Sequence, residues 1–316
     1  MTDSGSDRWT KPGVILVATD LSELDRLMPF ALEQVSHSHS RLILLHALAV
    51  SAAMPLGSPE MSYYDPWSGL ELAEKALKPW CESARRFGVA CDALVREGHP
   101  TDQIIATARQ FQADRILLGT RSRSKLGKVL IGSVAEQVLR AVNLPVMTVG
   151  PEAYLPAQGS YERRVVLHAT TLRETSLKSA ALAGRFAAEW KAKLVLLHVL
   201  PPLDEMQRKG QPTGFDSAAM QELRAMAAMI GAESGGEVEP VVIHGNPSIE
   251  ILAQSVEQKA SVIVLGATHR SALENLTRDR TVYRVLAHAR CPVLTLREGQ
   301  TVQQDSAHQH AGAYFG

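Results

Sequence analysis

Two stretches of the chain carry residue types that could hold a small anionic molecule. The first closes an apolar run, Val14-Ile-Leu-Val-Ala18-Thr19-Asp20. A carboxylate there can accept hydrogen bonds from an exocyclic amine or a sugar hydroxyl. Asp20, or Ser22, can equally cap a following helix, and the residues leave both roles open. The second stretch begins at Gly119 and ends at Gly132-Ser133, with Arg121, Ser122, Arg123, Lys125 and Lys128 between. It reads as a strand end, a basic loop and a Gly-Ser pair that opens a helix. A helix tip exposes N–H groups and the positive end of the helix dipole, which suits phosphate. Gly allows close backbone approach, and Ser133 adds a hydroxyl. The competing reading is a strand–turn–helix joint with a solvated basic loop. Neither GxxxxGK[ST] nor GxGxxG occurs, which excludes a P-loop and a dinucleotide fingerprint.

Other reactive residue types lack supporting partners. The pairs His37/His39 and His308/His310 have a spacing that could hold a metal, but no Cys or carboxylate joins them, so no metal site is assigned. His46 and His198 each follow a leucine on an apolar run and read as packed histidines with a satisfied ring N–H. No paired carboxylates, nucleophile elbow or Ser/His/Asp arrangement fixes a catalytic geometry, so no catalytic residue is assigned. Cys81, Cys91 and Cys291 are an odd number without CxxC and are expected as reduced thiols of a cytosolic protein.

The elements that must position these residues alternate. Apolar runs at Val14–Thr19, Leu42–Leu48, Ala90–Arg96, Arg115–Gly119 and Val146–Val149 read as strands. Helical spacing follows each: Leu24 to Val35, Leu70–Phe87, Thr101–Phe111 behind Pro100, and Ser133–Val142. Near-continuous apolar strands separated by amphipathic helices imply a parallel sheet covered on both faces. Ligands of such sheets sit beyond the strand carboxyl ends, at the switch point of strand order. The segment 49–68, with Tyr63, Tyr64 and Trp67, follows the second strand and could be a lid or a simple cover.

The whole pattern occurs twice. Residues 98–149 align without a gap on 245–296, an offset of 147, with 16 identities in 52 pairs. VILVATDLS at 14–22 matches VVLHATTLR at 165–173 with an offset of 151. Second-copy strands are expected near 164–169, 193–199, 238–243, 261–265 and 293–296, and Thr171 with Glu174 reads as a capping box. The residues 299–316 lack apolar periodicity and read as a disordered tail.

Both copies resemble universal stress protein domains. That family's nucleotide motif is G-x2-G-x9-G-[ST]; Gly119, Gly132 and Ser133 match it, and Ser122 stands in place of its second Gly. VATD at 17–20 resembles the family's strand-end P-T-D, and LLHAL at 44–48 its second strand. The resemblance implies two tandem five-stranded parallel-sheet α/β domains of the adenine nucleotide alpha hydrolase-like kind, 11–151 and 162–298. It implies ATP or another adenine nucleotide in the first domain, with Mg as a possible companion. Asp20 would hold the ribose or adenine. Ala18, Thr19, Ala47 and Leu118 would line the base pocket. Gly119, Arg121, Ser122, Gly132, Ser133 and Val134 would surround the phosphates.

The second copy has lost this set: Asp20 pairs with Thr171, Ser122 with His269, Gly132 with Asp279 and Ser133 with Arg280. Asp279 reads as the N-cap of a helix Arg280–Ala289 and would take the N–H groups a phosphate needs. Family domains pair through their last strands, so VMTV at 146–149 and VLTL at 293–296 are expected to meet in an intramolecular pseudo-dimer.

Charge and composition bear on the class of partner. Lys+Arg and Asp+Glu are 33 each, with 16 of each sign in residues 1–150. Neither half has the basic excess of a dedicated nucleic-acid binder. The polar start MTDSGSDRWTKPG has no signal-peptide core, and no apolar stretch approaches the roughly 20 residues of a membrane span. The expectation is a cytoplasmic stress-response protein with an unidentified protein partner and room for a homodimer. Alternatives are a nucleotide-free scaffold and, with less support, a slow ATPase.

Overall fold

The computed structural model describes residues 8–48, 66–120, 131–154, 164–173, 176–203, 215–267 and 280–297. The first half runs β1 (Val14–Thr19), α1 (Leu24–Ser38), β2 (Arg41–Leu48), α2 (Pro66–Arg86), β3 (Cys91–Glu97), α3 (Pro100–Gln110), β4 (Arg115–Gly119), α4 (Ser133–Ala141) and β5 (Val146–Val149). The second runs β6 (Val165–Thr170), α5 (Ser176–Glu189), β7 (Lys193–Leu200), α6 (Phe215–Ser234), β8 (Val238–His244), α7 (Pro247–Glu257), β9 (Val262–Ala267), α8 (Arg280–His288) and β10 (Val293–Arg297).

All ten strands join one sheet, in the order β3-β2-β1-β4-β5-β10-β9-β6-β7-β8. Within each half every pairing is parallel. The seam between halves is antiparallel, with Val293 opposite Thr148, Leu294 opposite Met147 and Thr295 opposite Val146. The expected meeting of the two last strands is therefore what the chain does. Side chains alternate across the sheet, so Ile15 and Val17 face one layer of helices while Leu16 and Ala18 face the other. Each of the two apolar clusters draws residues from both halves, which makes the seam part of a shared core.

Polar contacts tie the halves together as well. Arg115 is fully buried, donates to the Trp9 carbonyl and the Gln34 amide oxygen, and lies 5.4 Å above the Phe186 ring. Burial lowers its pKa to about 10, opposed by the charge of Asp114. Arg164 meets Glu33 at 3.3 Å and the His37 ring, and lies 5.5 Å over Trp190, on which His37 stacks at 4.8 Å. Burial raises the Glu33 carboxyl against the pull of Arg164; burial and then the Arg164 charge lower His37. His37 thus belongs to an interdomain stack.

Three expectations need correction. Cys81 in α2 and Cys91 at the start of β3 form a disulfide across 10 residues, with Cα atoms 5.2 Å apart; Cys291 is the free, buried cysteine. The helix–turn–strand unit brings the pair together, a proximity that spacing alone does not reveal. Helix α2 starts at Pro66, four residues before the apolar periodicity, because proline is pre-set for a first helical turn. Helix α5 starts at Ser176, whose hydroxyl lies 2.7 Å from that of Thr171. Glu174 of the expected capping box, the segment 49–65 and the residues 299–316 lie outside the described residues.

Candidate functional site

Strand order reverses between β1 and β4 in the first half: β2 and β3 lie on one side, β5 on the other. A cleft of about 330 Å³ opens at the carboxyl ends of these strands, within the size range of small-molecule sites. β1 delivers Ala18, Thr19 and Asp20, β2 delivers Leu45, His46 and Ala47, and β4 delivers Leu118 and Gly119. The first turn of α4 closes the far wall with Gly132, Ser133, Val134 and Ala135, and α3 adds Pro100 and Ile104. Nine residues expected from the sequence, Ala18, Thr19, Asp20, Ala47, Leu118, Gly119, Gly132, Ser133 and Val134, therefore share one cavity. Arg121, Ser122, Arg123, Lys125 and Lys128 lie outside the described residues.

The β1 end is shaped by a tight turn. Thr19 Oγ1 accepts the Leu21 N–H at 2.9 Å, and Asp20 Oδ1 accepts both the N–H (3.0 Å) and the hydroxyl (2.7 Å) of Ser22. Leu21 has φ 71°, a left-handed conformation that costs a leucine roughly 1–2 kcal/mol. Neither Asp20 nor Ser22 caps α1, whose N-cap is Glu23. The second half repeats the turn: Leu172 has φ 58°, and its N–H goes to Thr170 Oγ1 at 3.2 Å. The position matching Asp20 is Thr171, with no carboxylate.

The α4 tip faces the same cleft from the other side. Gly132 is the N-cap, with φ −63°, ψ 143°, and among the described residues no side chain caps the helix. Those angles are open to any residue, so glycine serves here by lacking a side chain. At Gly119 the close neighbour is Glu23: a Cβ there would overlap its carboxylate and force that side chain to move. Glu23 is buried at 8% exposure, pairs with Arg26 and lines the cleft. Sequence reasoning missed it. Its signal was its place between a strand-end turn and a helix, but its approach to Gly119 depends on β1–β4 pairing.

The histidines behave as packed groups. His46 Nδ1 donates to the Thr19 carbonyl at 2.9 Å, and His198 Nδ1 to the Thr170 carbonyl at 2.9 Å; a carbonyl can only accept, which fixes the tautomer. His46 also lines the cleft. Among the described residues no three His, Cys, Asp or Glu gather as a metal site, and no helix is long and apolar enough to cross a membrane. In the second half Gly266 lies one residue from the end of β9, opposite Leu296, while His269 and Asp279 lie outside the described residues.

A doubly wound parallel sheet, built twice and with a cleft at a strand-order switch of the first half, defines a tandem α/β protein. The model of the universal stress protein family matches residues 13–150 and again 162–297, and the chain belongs to that family as a tandem of two domains. A universal stress protein of Methanocaldococcus jannaschii is 35% identical over 79 residues, 25% of this chain and 46% of that one. One of Mycobacterium tuberculosis is 23% identical over 256 residues, 76% of this chain and 82% of that one. The crystal structure of a universal stress protein from Archaeoglobus fulgidus aligns over 92% of this chain and 98% of that one, at 24% identity and a TM-score of 0.70. That likeness is one of fold.

Proposed function

We propose that the first half binds an adenine nucleotide, ATP included, and that the protein is a cytoplasmic stress-response module that acts by binding. The domains of this reading are 11–151 and 162–298, the second serving as a fixed structural partner. The observation that carries it is the uncapped α4 tip facing Asp20 across one cleft. The cleft is graded along its length. Ala18, Leu45, Ala47, Ile104 and Leu118 offer an apolar wall to a base. Asp20 and Glu23 offer acceptors to hydroxyl or amine donors. The N–H groups opening α4 suit the anionic end.

Calorimetric titration of ATP into the wild-type chain and Asp20→Ala tests the reading. Wild type is expected to bind saturably and Asp20→Ala about tenfold or more weakly, the size of one hydrogen bond to a charged group. The absence of saturable heat from wild type overturns it.

One observation favours a second reading, a nucleotide-free scaffold: the Glu23 carboxylate already packs on Gly119 inside the cleft. A mass spectrum of ligand extracted from freshly purified protein separates the two.

A further inference from the structure

The second half touches the segment that leads into the α4 tip of the first half's cleft. Tyr283, on α8, is half-buried at the seam, and its phenol oxygen accepts the backbone N–H of Ile131 at 3.2 Å. Ile131 directly precedes Gly132, the N-cap of α4. The Gly132 N–H is held in turn by the Thr120 carbonyl at 3.1 Å. The Thr120 hydroxyl reaches back to the Leu286 carbonyl of α8 at 3.5 Å. Gly150, just past β5, sits where a Cβ would come 3.3 Å from the Ala289 carbonyl. The two peptide groups leading into the α4 tip are thus set from both sides, by Thr120 just past β4 of their own half and by α8 of the other.

We infer that Tyr283 is a positioning residue for the phosphate end of the opposite half's site, an assignment that rests on the adenine-nucleotide reading above. An anion at a helix tip is bound by several N–H groups at once. Such binding gains when those groups are oriented beforehand, since less ordering remains to be done on association. A phenol suits this role because it is rigid and spans the seam, and its oxygen supplies the acceptor that the Ile131 N–H requires in a buried setting. At the matching repeat position the first half has Glu136, which pairs with Arg140 of its own helix at 2.5 Å. The half without the family motif therefore shapes the half that keeps it.

Tyr283→Phe in the full chain removes one oxygen and leaves the ring. Three measurements are made on wild type and variant: calorimetric Kd for ATP, Kd for adenosine, and hydrogen exchange at the Ile131 amide. The expected result is about three- to tenfold weaker ATP binding, adenosine binding unchanged, and faster Ile131 exchange, the range set by one net hydrogen bond. Unchanged ATP affinity in Tyr283→Phe overturns the inference. So does an equal loss for ATP and adenosine with a lowered unfolding midpoint, which marks a merely structural contact. Wild-type protein that takes up no ATP overturns the nucleotide reading first, and this one with it. The two failures are therefore distinguishable.

Discussion

Gly132→Asp should make the chain more stable and nearly blind to ATP in the same stroke. Gly132 has an extended backbone that aspartate adopts without strain, and among the described residues no side chain caps α4. A carboxylate introduced there would accept the N–H of Val134 or Ala135, as N-cap aspartates do. Replacing an N-cap Gly by Asp gains a few tenths of a kcal/mol from the hydrogen bond. A negative charge at the dipole's positive end adds about 0.3–1 kcal/mol. The sum, about 0.5–1 kcal/mol, corresponds to a midpoint rise of about 2 °C in a domain of this size. Binding moves the other way. The N–H groups that would meet phosphate become occupied, and charge-assisted hydrogen bonds are worth about 1.5–3 kcal/mol each. Losing two lowers ATP affinity by over a hundredfold. Paired ligand-free melting curves and calorimetric titrations measure both effects, with adenosine as the control for an intact base pocket. A variant that melts lower, or binds ATP within threefold of wild type, refutes the reasoning. The second half carries this substitution naturally, as Asp279 at the matching position.

Two further perturbations probe the frame around the cleft. His168 is fully buried, with Nδ1 donating to the Val264 carbonyl at 3.0 Å, and burial pushes its pKa down to about 4, the hydrogen bond opposing. Between that value and the ordinary one near 6.5, the unfolded chain holds a proton that the folded chain does not. Stability therefore rises with pH across this window and falls on acidification, by about 3 kcal/mol in all. His168→Val, the residue of the first half's matching position, should flatten the slope in urea titrations between pH 7 and 4; an unaltered slope contradicts the assignment. Thiol counting tests the sulfur chemistry. The unreduced native chain should show no fast thiol, because burial pushes Cys291 up to about 12 and Cys81 is bonded to Cys91. Denaturation should then expose one thiol, and reduction three, with a loss of about 2–3 kcal/mol of stability on opening so short a loop. Three thiols in the unreduced denatured chain would rule the bond out.

The strands at Val14–Thr19, Arg115–Gly119 and Val146–Val149 were readable to the residue, because β-branched and leucine runs bounded by turn residues leave little choice. Asp20, Gly119, Gly132 and Ser133 were readable because strand ends and helix tips of a parallel sheet share an edge, whereas Ala47, Leu118 and Val134 came through the family resemblance. What was not readable depends on through-space approach. Glu23 meets Gly119 once β1 and β4 lie side by side. Cys81 meets Cys91 once a helix folds back on a strand. Tyr283 meets Ile131 across 152 residues, through a seam that periodicity does not encode. Asp20 was left between two roles, and the structure removes one: its carboxylate organises the β1 turn, while Glu23 takes the N-cap.

The antiparallel zipper of Thr148 against Val293 makes this assembly unimolecular. Partners joined by a peptide link meet at millimolar-scale effective concentration whatever the cellular abundance, so dilution does not separate them. Covalent tethering also breaks symmetry for good. In a homodimer every substitution appears on both sides, whereas here one subunit's gene-half can drift while its neighbour stays constrained, with no risk of two drifted copies pairing together. The zipper also consumes both inner borders of the sheet, leaving β3 and β8 as its outer margins, where any larger assembly built by strand addition would have to begin.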